Sequence, residues 1–150
     1  MQTLRQVEFA LFDLLIHAQT PAPDYEGILA TLNAVRADIA IIDTPDYNRF
    51  ANGFSHIFAG GYAAGYYSYK WAELLSADAF SKFEEEGIFN PSTGKAFRDT
   101  ILSVGGSLPA KTNFENFRGR SASIDALLRH SGFDMADSKA ANTQISNEAG

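Results

Sequence analysis

Hydrophobic side chains recur at helical spacing at the start of the chain, where residues 1–18 are predicted to form a helix. They fall on two stripes, one made of Leu4, Val7, Leu11, Leu14 and Leu15 and the other of Phe9, Phe12 and Ile16. The helix should end before Pro21, because proline has no amide hydrogen and disfavours helix in the residue before it. A helix that is apolar nearly all round is buried on more than one side, so we expect both stripes to be covered.

The same periodicity predicts five further helical segments, over residues 24–39, from about 62 to 86, over 90–104, around 114–117, and over 121–130. Asp24 and Asn90 are suitable N-terminal caps, while Gly87 and Gly132 are suitable C-terminal stops. No segment alternates apolar and polar residues over the length of a strand. The predicted fold class is therefore all-α, an irregular helical bundle over residues 1–133. Residues 134–150 are mostly small and polar and are expected to form a mobile tail.

Composition is that of a globular domain, with 150 residues, 20% charged side chains and a net charge of −6. A nucleic-acid-binding function is not expected, because a duplex binder normally carries a basic patch and the sequence has only the short basic cluster of Arg118, Arg120 and Arg129. The sequence has no cysteine, which fits a reducing compartment. No apolar run reaches the length of a membrane span, so we expect a cytoplasmic protein without membrane contact.

The stretch "FSHIFAGGYAAGYYSYKW", residues 54–71, concentrates glycines and tyrosines. A phosphate-binding loop is not indicated, since the glycines match neither G-x-x-x-x-G-K-[ST] nor G-x-G-x-x-G and follow no predicted strand. Gly61 and Gly65 are four residues apart and would allow close packing of another backbone against a helix. Packing and ligand contact therefore both stay open at this point.

A helix beginning near Tyr62 would place four side chains within roughly 60° of one another around its axis, namely Tyr62, Tyr66, Tyr69 and Glu73. Tyr67 and Trp71 would then lie on the opposite, packed face. A phenol has an apolar ring and one hydroxyl donor, so it serves equally in a core with a partner or in a cleft that binds a ligand. The spacing alone does not choose between these two roles.

No complete catalytic centre is visible in the sequence. The three histidines, His17, His56 and His130, are not paired at i and i+4, and neither H-E-x-x-H nor G-x-S-x-G occurs. We therefore predict no metal-binding residue in this chain.

The block from residue 54 to 107, which contains H-x-x-x-G-G-Y-x-A-G-Y-Y-x-Y, resembles the thimet-oligopeptidase and peptidyl-dipeptidase family of zinc metallopeptidases. The segments "RQVEFALFDLLIH", "FENFRGR" and "IDALLRHSGF" extend the resemblance to about residues 5–133. It implies a mainly helical, two-lobed enzyme that cuts short peptides in a deep channel, with this chain in the larger helical lobe. The family's zinc ligands and general base lie in an H-E-x-x-H motif and a downstream glutamate, amino-terminal to the matched region.

The resemblance also implies roles for individual residues. His56 matches a histidine near the substrate and the transition state, and the segment from Ala59 to Gly65 matches a flexible loop that covers the substrate. The residues expected to bind substrate are Gly60, Gly61, Gly65 and Tyr66, and those expected to act in catalysis are Tyr69, His56 and Tyr62. Tyr69 is the expected donor to the tetrahedral oxyanion, whereas Tyr67 is expected to pack.

Two hypotheses follow. In the first, the chain is the carboxyl-terminal segment of an oligopeptidase, contributes substrate-binding and oxyanion-stabilising residues, and is inactive and without zinc by itself. Its apolar first helix would then contact the missing amino-terminal part of the peptidase or a second copy of the chain. In the second, the chain is an independent small helical protein, as a monomer or a homodimer, that binds a peptide or a partner through the phenol-lined face.

Overall fold

The computed structural model describes residues 2–133 and confirms the all-α class. Within those residues the chain forms α1 (Gln2–His17), α2 (Tyr25–Ile39), α3 (Phe50–Gly53), α4 (Ser55–Phe58), α5 (Ser68–Glu86), α6 (Pro91–Phe97), a π-helical segment (Arg98–Leu102), α7 (Ala110–Arg118) and α8 (Asp125–His130). No strand occurs among the described residues. The predicted mobile tail at 134–150 lies outside them.

Local capping chemistry sets several of these helix ends. The Asp24 carboxylate accepts a hydrogen bond from the Gly27 N–H at 2.9 Å, which confirms the predicted cap of α2. Asn90 caps α6 in the same way, accepting from the Ser92 N–H at 2.9 Å. Glycine ends α5 as predicted, since Gly87 has φ +104° directly after Glu86.

The chain divides into two compact units, and the division falls between Lys70 and Trp71, inside α5. The first unit has a core built on α1, α2 and the short helices α3 and α4. Its buried members are Phe9, Ala10, Phe12, Ile16, Leu32, Ala51, Phe54, Ile57 and Tyr66. Of the two predicted stripes on α1, the stripe of Phe9, Phe12 and Ile16 is buried as expected.

The other stripe of α1 is not covered in the described chain. Leu4, Leu14 and Leu15 are exposed, and Val7 and Leu11 are half-buried. Burial of both stripes is not found within the described residues, and α1 presents an apolar face to solvent, which is what the first hypothesis predicts for a segment of a longer peptidase.

The second unit is held together by an ion-pair cluster and a set of packed rings. Asp78 of α5 is fully buried and accepts hydrogen bonds from Arg118, Arg120 and the Ser123 N–H. Phe117 of α7 packs against Phe97 and Phe83, with ring centroids 5.3 and 6.0 Å away.

None of the helices within residues 2–133 is long and apolar enough to cross a membrane.

Candidate functional site

The tyrosine-rich stretch is not a helix in its first half. Residues between Tyr62 and Tyr67 form consecutive turns, in which the Gly65 N–H donates to the Tyr62 carbonyl at 2.8 Å. The prediction of a helix from about Tyr62 is wrong, because Gly61 at φ +79° and Ala64 at φ +53° have left-handed backbone that a right-handed helix excludes. Helix α5 begins only at Ser68.

The glycines shape this segment through the backbone rather than through helix packing. A β-carbon at Gly60 would lie 2.9 Å from the Cα and carbonyl oxygen of His56, which leaves no room for any side chain. A β-carbon at Gly61 would meet nothing within 4 Å, but the positive φ at this position favours glycine. Gly65 lies in a turn, where a β-carbon would make an ordinary 3.4 Å contact with the Tyr62 carbonyl oxygen. A close helix-packing seam at Gly61 and Gly65 is therefore not what the structure contains.

The turns nevertheless bring the predicted tyrosines together. The ring of Tyr69 stacks on Tyr62 with centroids 5.1 Å apart and also packs against Tyr66 at 5.0 Å. The imidazole of His56 lies 6.2 Å from the Tyr62 ring and 6.1 Å from the Tyr66 ring. Four of the predicted site residues thus form one aromatic cluster in the first unit.

This cluster continues into the core of the first unit. We call the continuous series of ring contacts the ring column; it consists of Phe50, Phe9, Phe54, Tyr66, Tyr69 and Tyr62. The two outermost rings, Tyr69 and Tyr62, are 38% and 37% exposed. The column therefore ends at the surface in two phenols.

Tyr66 occupies the boundary between core and surface. Tyr66 is only 9% exposed, and its hydroxyl donates a hydrogen bond to Gln6 Oε1 at 3.1 Å. Burial raises the pKa of Tyr66 above its ordinary value. Its ring supports Tyr69 from the core side, and its hydroxyl is already bonded within the protein.

Tyr69 and Tyr62 offer the accessible phenols of the cluster. A hydrogen bond between their side chains raises the pKa of Tyr69 above its ordinary value. A phenol is protonated at neutral pH and can act as a hydrogen-bond donor. Tyr67 is 43% exposed and has no place in the ring column, so its predicted packing role is wrong.

Asp13 is a site residue that the sequence interpretation missed. It is fully buried in α1, and its carboxylate accepts hydrogen bonds from the N–H groups of Ala64 and Tyr66, each at 2.9 Å. A signal was present in the sequence, because Asp13 interrupts the apolar surroundings of Phe9, Phe12 and Ile16. A buried carboxylate needs partners, so its position called for donors from elsewhere in the fold.

The residues that the structure describes do not provide a metal site. Nowhere between residues 2 and 133 do three or more side chains of His, Cys, Asp or Glu come close enough together to hold a metal ion. The zinc implied by the resemblance does not fit this part of the chain, and we assign no chemical step to it here.

The helical fold is the one expected from the resemblance to peptidases of the thimet-oligopeptidase type. A family model described as Peptidase family M3 matches residues 1–133, and the chain belongs to that family. It is a family of zinc metallopeptidases.

Several relatives are similar over most of this chain. Oligopeptidase A of Haemophilus influenzae is 57% identical over 132 residues, which are 88% of this chain and 19% of the relative. Oligopeptidase A of Escherichia coli is 54% identical over 129 residues, covering 86% and 19% of the two chains. Organellar oligopeptidase A of Arabidopsis thaliana is 46% identical over 142 residues, covering 92% and 18%. The chain therefore spans about a fifth of the length of these relatives.

Proposed function

We propose that the chain forms the substrate-side wall of a zinc oligopeptidase site that hydrolyses short peptides. The exposed, stacked pair of Tyr62 and Tyr69 is the observation that carries this role, because two phenol donors stand at the end of a buried column of rings. Membership of Peptidase family M3 supports peptides as the class of ligand.

In this proposal Tyr69 donates a hydrogen bond to the peptide carbonyl oxygen as that oxygen becomes negatively charged. The exposure of Tyr69 supports the role, since its phenol is accessible to a bound peptide. Tyr62 and the exposed His56 provide further polar contacts beside it. Tyr66 supports the donor pair, and the segment containing Gly60, Gly61 and Gly65 covers the bound peptide.

The zinc ion and the general base are proposed to come from outside the described residues. When bound in the family's complete site, zinc supplies the activated water. The chain by itself is proposed to bind short peptides without hydrolysing them and without a metal of its own. The cytoplasmic location expected from the sequence stays a prediction.

Peptide binding tests the role of the tyrosines. A fluorescein-labelled eight-residue peptide is titrated with the 150-residue chain and with Tyr69→Phe and Tyr62→Phe, and binding is followed by fluorescence anisotropy. Each variant should bind about 3- to 10-fold more weakly, the effect of losing one hydrogen bond. Tyr67→Phe is the matched control, because Tyr67 is similarly exposed but lies outside the ring column. Equal weakening by Tyr67→Phe would contradict the assignment.

Turnover tests the proposed lack of activity. The purified chain is incubated with Zn²⁺ and an internally quenched fluorescent peptide, and fluorescence should not increase. Hydrolysis that a chelator abolishes would show that the chain assembles a zinc site and would refute this part of the proposal.

One observation favours the second candidate, a small helical protein that binds a partner or forms a homodimer. The exposed stripe of Leu4, Leu14 and Leu15 on α1 is apolar surface of the kind that associates. In the first candidate function, as a segment of a zinc oligopeptidase, the same stripe would contact the rest of the longer peptidase.

A further inference from the structure

Asp13 is the buried polar group in the first unit whose contacts connect it to the aromatic cluster. Its Oδ1 accepts from the Ala64 N–H and its Oδ2 from the Tyr66 N–H, both at 2.9 Å. The two donors lie 51 and 53 residues further along the chain. One carboxylate on α1 therefore holds the backbone of residues 62–67, which we call the turn segment, through the amides of Ala64 and Tyr66.

The side chain of His17, one helical turn further along α1, completes the surroundings of this carboxylate. Its Nδ1 lies 2.9 Å from Asp13 Oδ1 and 2.8 Å from the Asp13 carbonyl oxygen. An ionised carboxylate and a carbonyl only accept hydrogen bonds, so Nδ1 carries its proton and donates. Each partner offsets the loss of water around a charge that is fully buried.

The amides that donate hydrogen bonds to Asp13 lie where the backbone is strained. Ala64 has φ +53° and is the one residue other than glycine with positive φ among the described residues. A β-carbon makes this conformation unfavourable, so it persists where other contacts hold it. The donors to Asp13 are the amide of Ala64 itself and the amide of Tyr66, two residues later.

The same turn segment also carries the rings. Tyr62 lies two residues before Ala64, and Tyr66 lies two residues after it. Tyr66 contacts Tyr69, and Tyr69 stacks on Tyr62, so the backbone course through Ala64 determines whether the two exposed phenols meet. Gln6 and Phe9, on the same face of α1 as Asp13, contact the Tyr66 hydroxyl and ring.

We propose that Asp13 is a positioning residue for the Tyr62–Tyr69 pair, acting through the backbone of Ala64 and Tyr66 without touching the peptide. This inference rests on the proposed peptide-binding function of that pair. It predicts that loss of the carboxylate releases the turn segment and weakens peptide binding while the helices stay formed.

Asp13→Asn tests the inference, because it keeps the shape of the side chain but replaces one accepting oxygen with an NH₂ group that faces an N–H. Hydrogen exchange at the amides of Ala64 and Tyr66, followed by NMR without peptide, should become at least about tenfold faster. Affinity for the fluorescein-labelled peptide should fall by about tenfold, as two hydrogen bonds to a charged group are disturbed.

Glu8→Gln is the matched control. Glu8 is a second buried carboxylate on α1 and is paired with Arg36 at 3.0 Å, but it does not contact the turn segment. This variant should destabilise the first unit while leaving exchange at Ala64 and Tyr66 close to the wild-type rate. Equal effects of Asp13→Asn and Glu8→Gln on exchange and affinity would mean that Asp13 only stabilises the fold, and would overturn the inference.

Ala64→Gly tests the inference at the strained position itself. Glycine adopts positive φ without strain, so the double variant Asp13→Asn/Ala64→Gly should regain part of the lost affinity. If Asp13→Asn does not fold, the double variant is compared with Ala64→Gly alone, and identical exchange and affinity in these two would overturn the inference. Failure of the wild-type chain to bind peptide would refute the proposed function, whereas the exchange rates would still decide whether Asp13 holds the segment.

Discussion

Tyr66 shows how one hydroxyl group ties the aromatic cluster to α1. We expect Tyr66→Phe to lower the free energy of unfolding of the first unit by about 1 kcal/mol, because the ring stays while the hydrogen bond to Gln6 is lost. Urea unfolding followed by NMR signals of the first unit measures the change. Tyr67→Phe removes a hydroxyl from an exposed ring and should change the stability by less than about 0.5 kcal/mol. A larger loss in Tyr67→Phe than in Tyr66→Phe would argue against this account.

Asp78 should make the second unit sensitive to acid. Burial alone would raise the pKa of Asp78, but hydrogen bonds from Arg120, the Ser123 N–H and Arg118 outweigh burial and lower the pKa to about 2. Because the folded pKa lies below the ordinary value of about 3.9, the ionised carboxylate stabilises the fold at higher pH. This contribution, about 2 kcal/mol at neutral pH, should disappear as the pH falls from about 5 towards 2. Urea unfolding of the second unit across this pH range measures it.

Two variants separate Asp78 from other carboxylates. Asp99→Asn removes an exposed carboxylate whose pKa is also lowered to about 2, mainly by Arg98 and to a smaller extent by Lys95. Because this carboxylate is exposed to solvent, the acid dependence of the stability should be nearly unchanged in the variant. Arg120→Gln removes a donor to Asp78, so the folded pKa of Asp78 should rise towards its ordinary value and the stability lost on acidification should become smaller. An acid dependence that follows Asp99 rather than Arg120 would contradict the assignment.

Among the helices, α2 depends on a single side chain at its N-terminus. Asp24→Ala should lower the free energy of unfolding of the first unit by about 1 kcal/mol, because the Gly27 N–H loses its acceptor. Asp38→Ala makes the same change of charge near the C-terminal end of the helix, where an acid is unfavourable, and should be neutral or slightly stabilising. Thermal unfolding by circular dichroism compares the two variants, and equal losses would exclude a capping effect.

Helix ends that depend on neighbouring residues could be predicted from the sequence. Asp24, Asn90 and Gly87 act within a few residues of themselves, and all three are confirmed. The start of α5 could not be predicted from periodicity, because the spacing of Tyr62, Tyr66 and Tyr69 fits a helix that the left-handed backbone at Gly61 and Ala64 prevents. Side-chain spacing reports which residues share a face only after the backbone is known to be helical.

The aromatic cluster also shows what side-chain spacing in the sequence could not predict. Tyr62, Tyr66 and Tyr69 do lie together, but turns and ring stacking bring them there rather than a common helix face. Asp13 could not be connected to them from the sequence, because its bonds to Ala64 and Tyr66 cross more than fifty residues. Long-range pairing of a buried charge becomes visible only in the folded chain.

At the scale of the whole molecule, the chain corresponds to about a fifth of its relatives and exposes an apolar stripe on α1. We predict that the chain self-associates in solution through this stripe. The double variant Leu4→Gln/Leu15→Gln should shift it towards the monomer, because the apolar area available for association is reduced. Sedimentation equilibrium over a range of protein concentrations measures the shift.

Phe89→Gln is the control for this prediction, since Phe89 is an exposed apolar side chain of the second unit. It should leave the association unchanged. A chain that stays monomeric at all concentrations, or one that Phe89→Gln alone dissociates, would contradict association through α1.

The ring column links stability and ligand affinity in the first unit. Its inner rings, Phe50, Phe9 and Phe54, fill the core, and its outer rings, Tyr69 and Tyr62, are those proposed to meet a peptide. A substitution chosen to improve packing at Phe54 would also move the rings proposed to meet a peptide, so a change in stability is expected to change the proposed affinity as well. On heating, peptide affinity should be lost together with the first unit, whatever the melting temperature of the second.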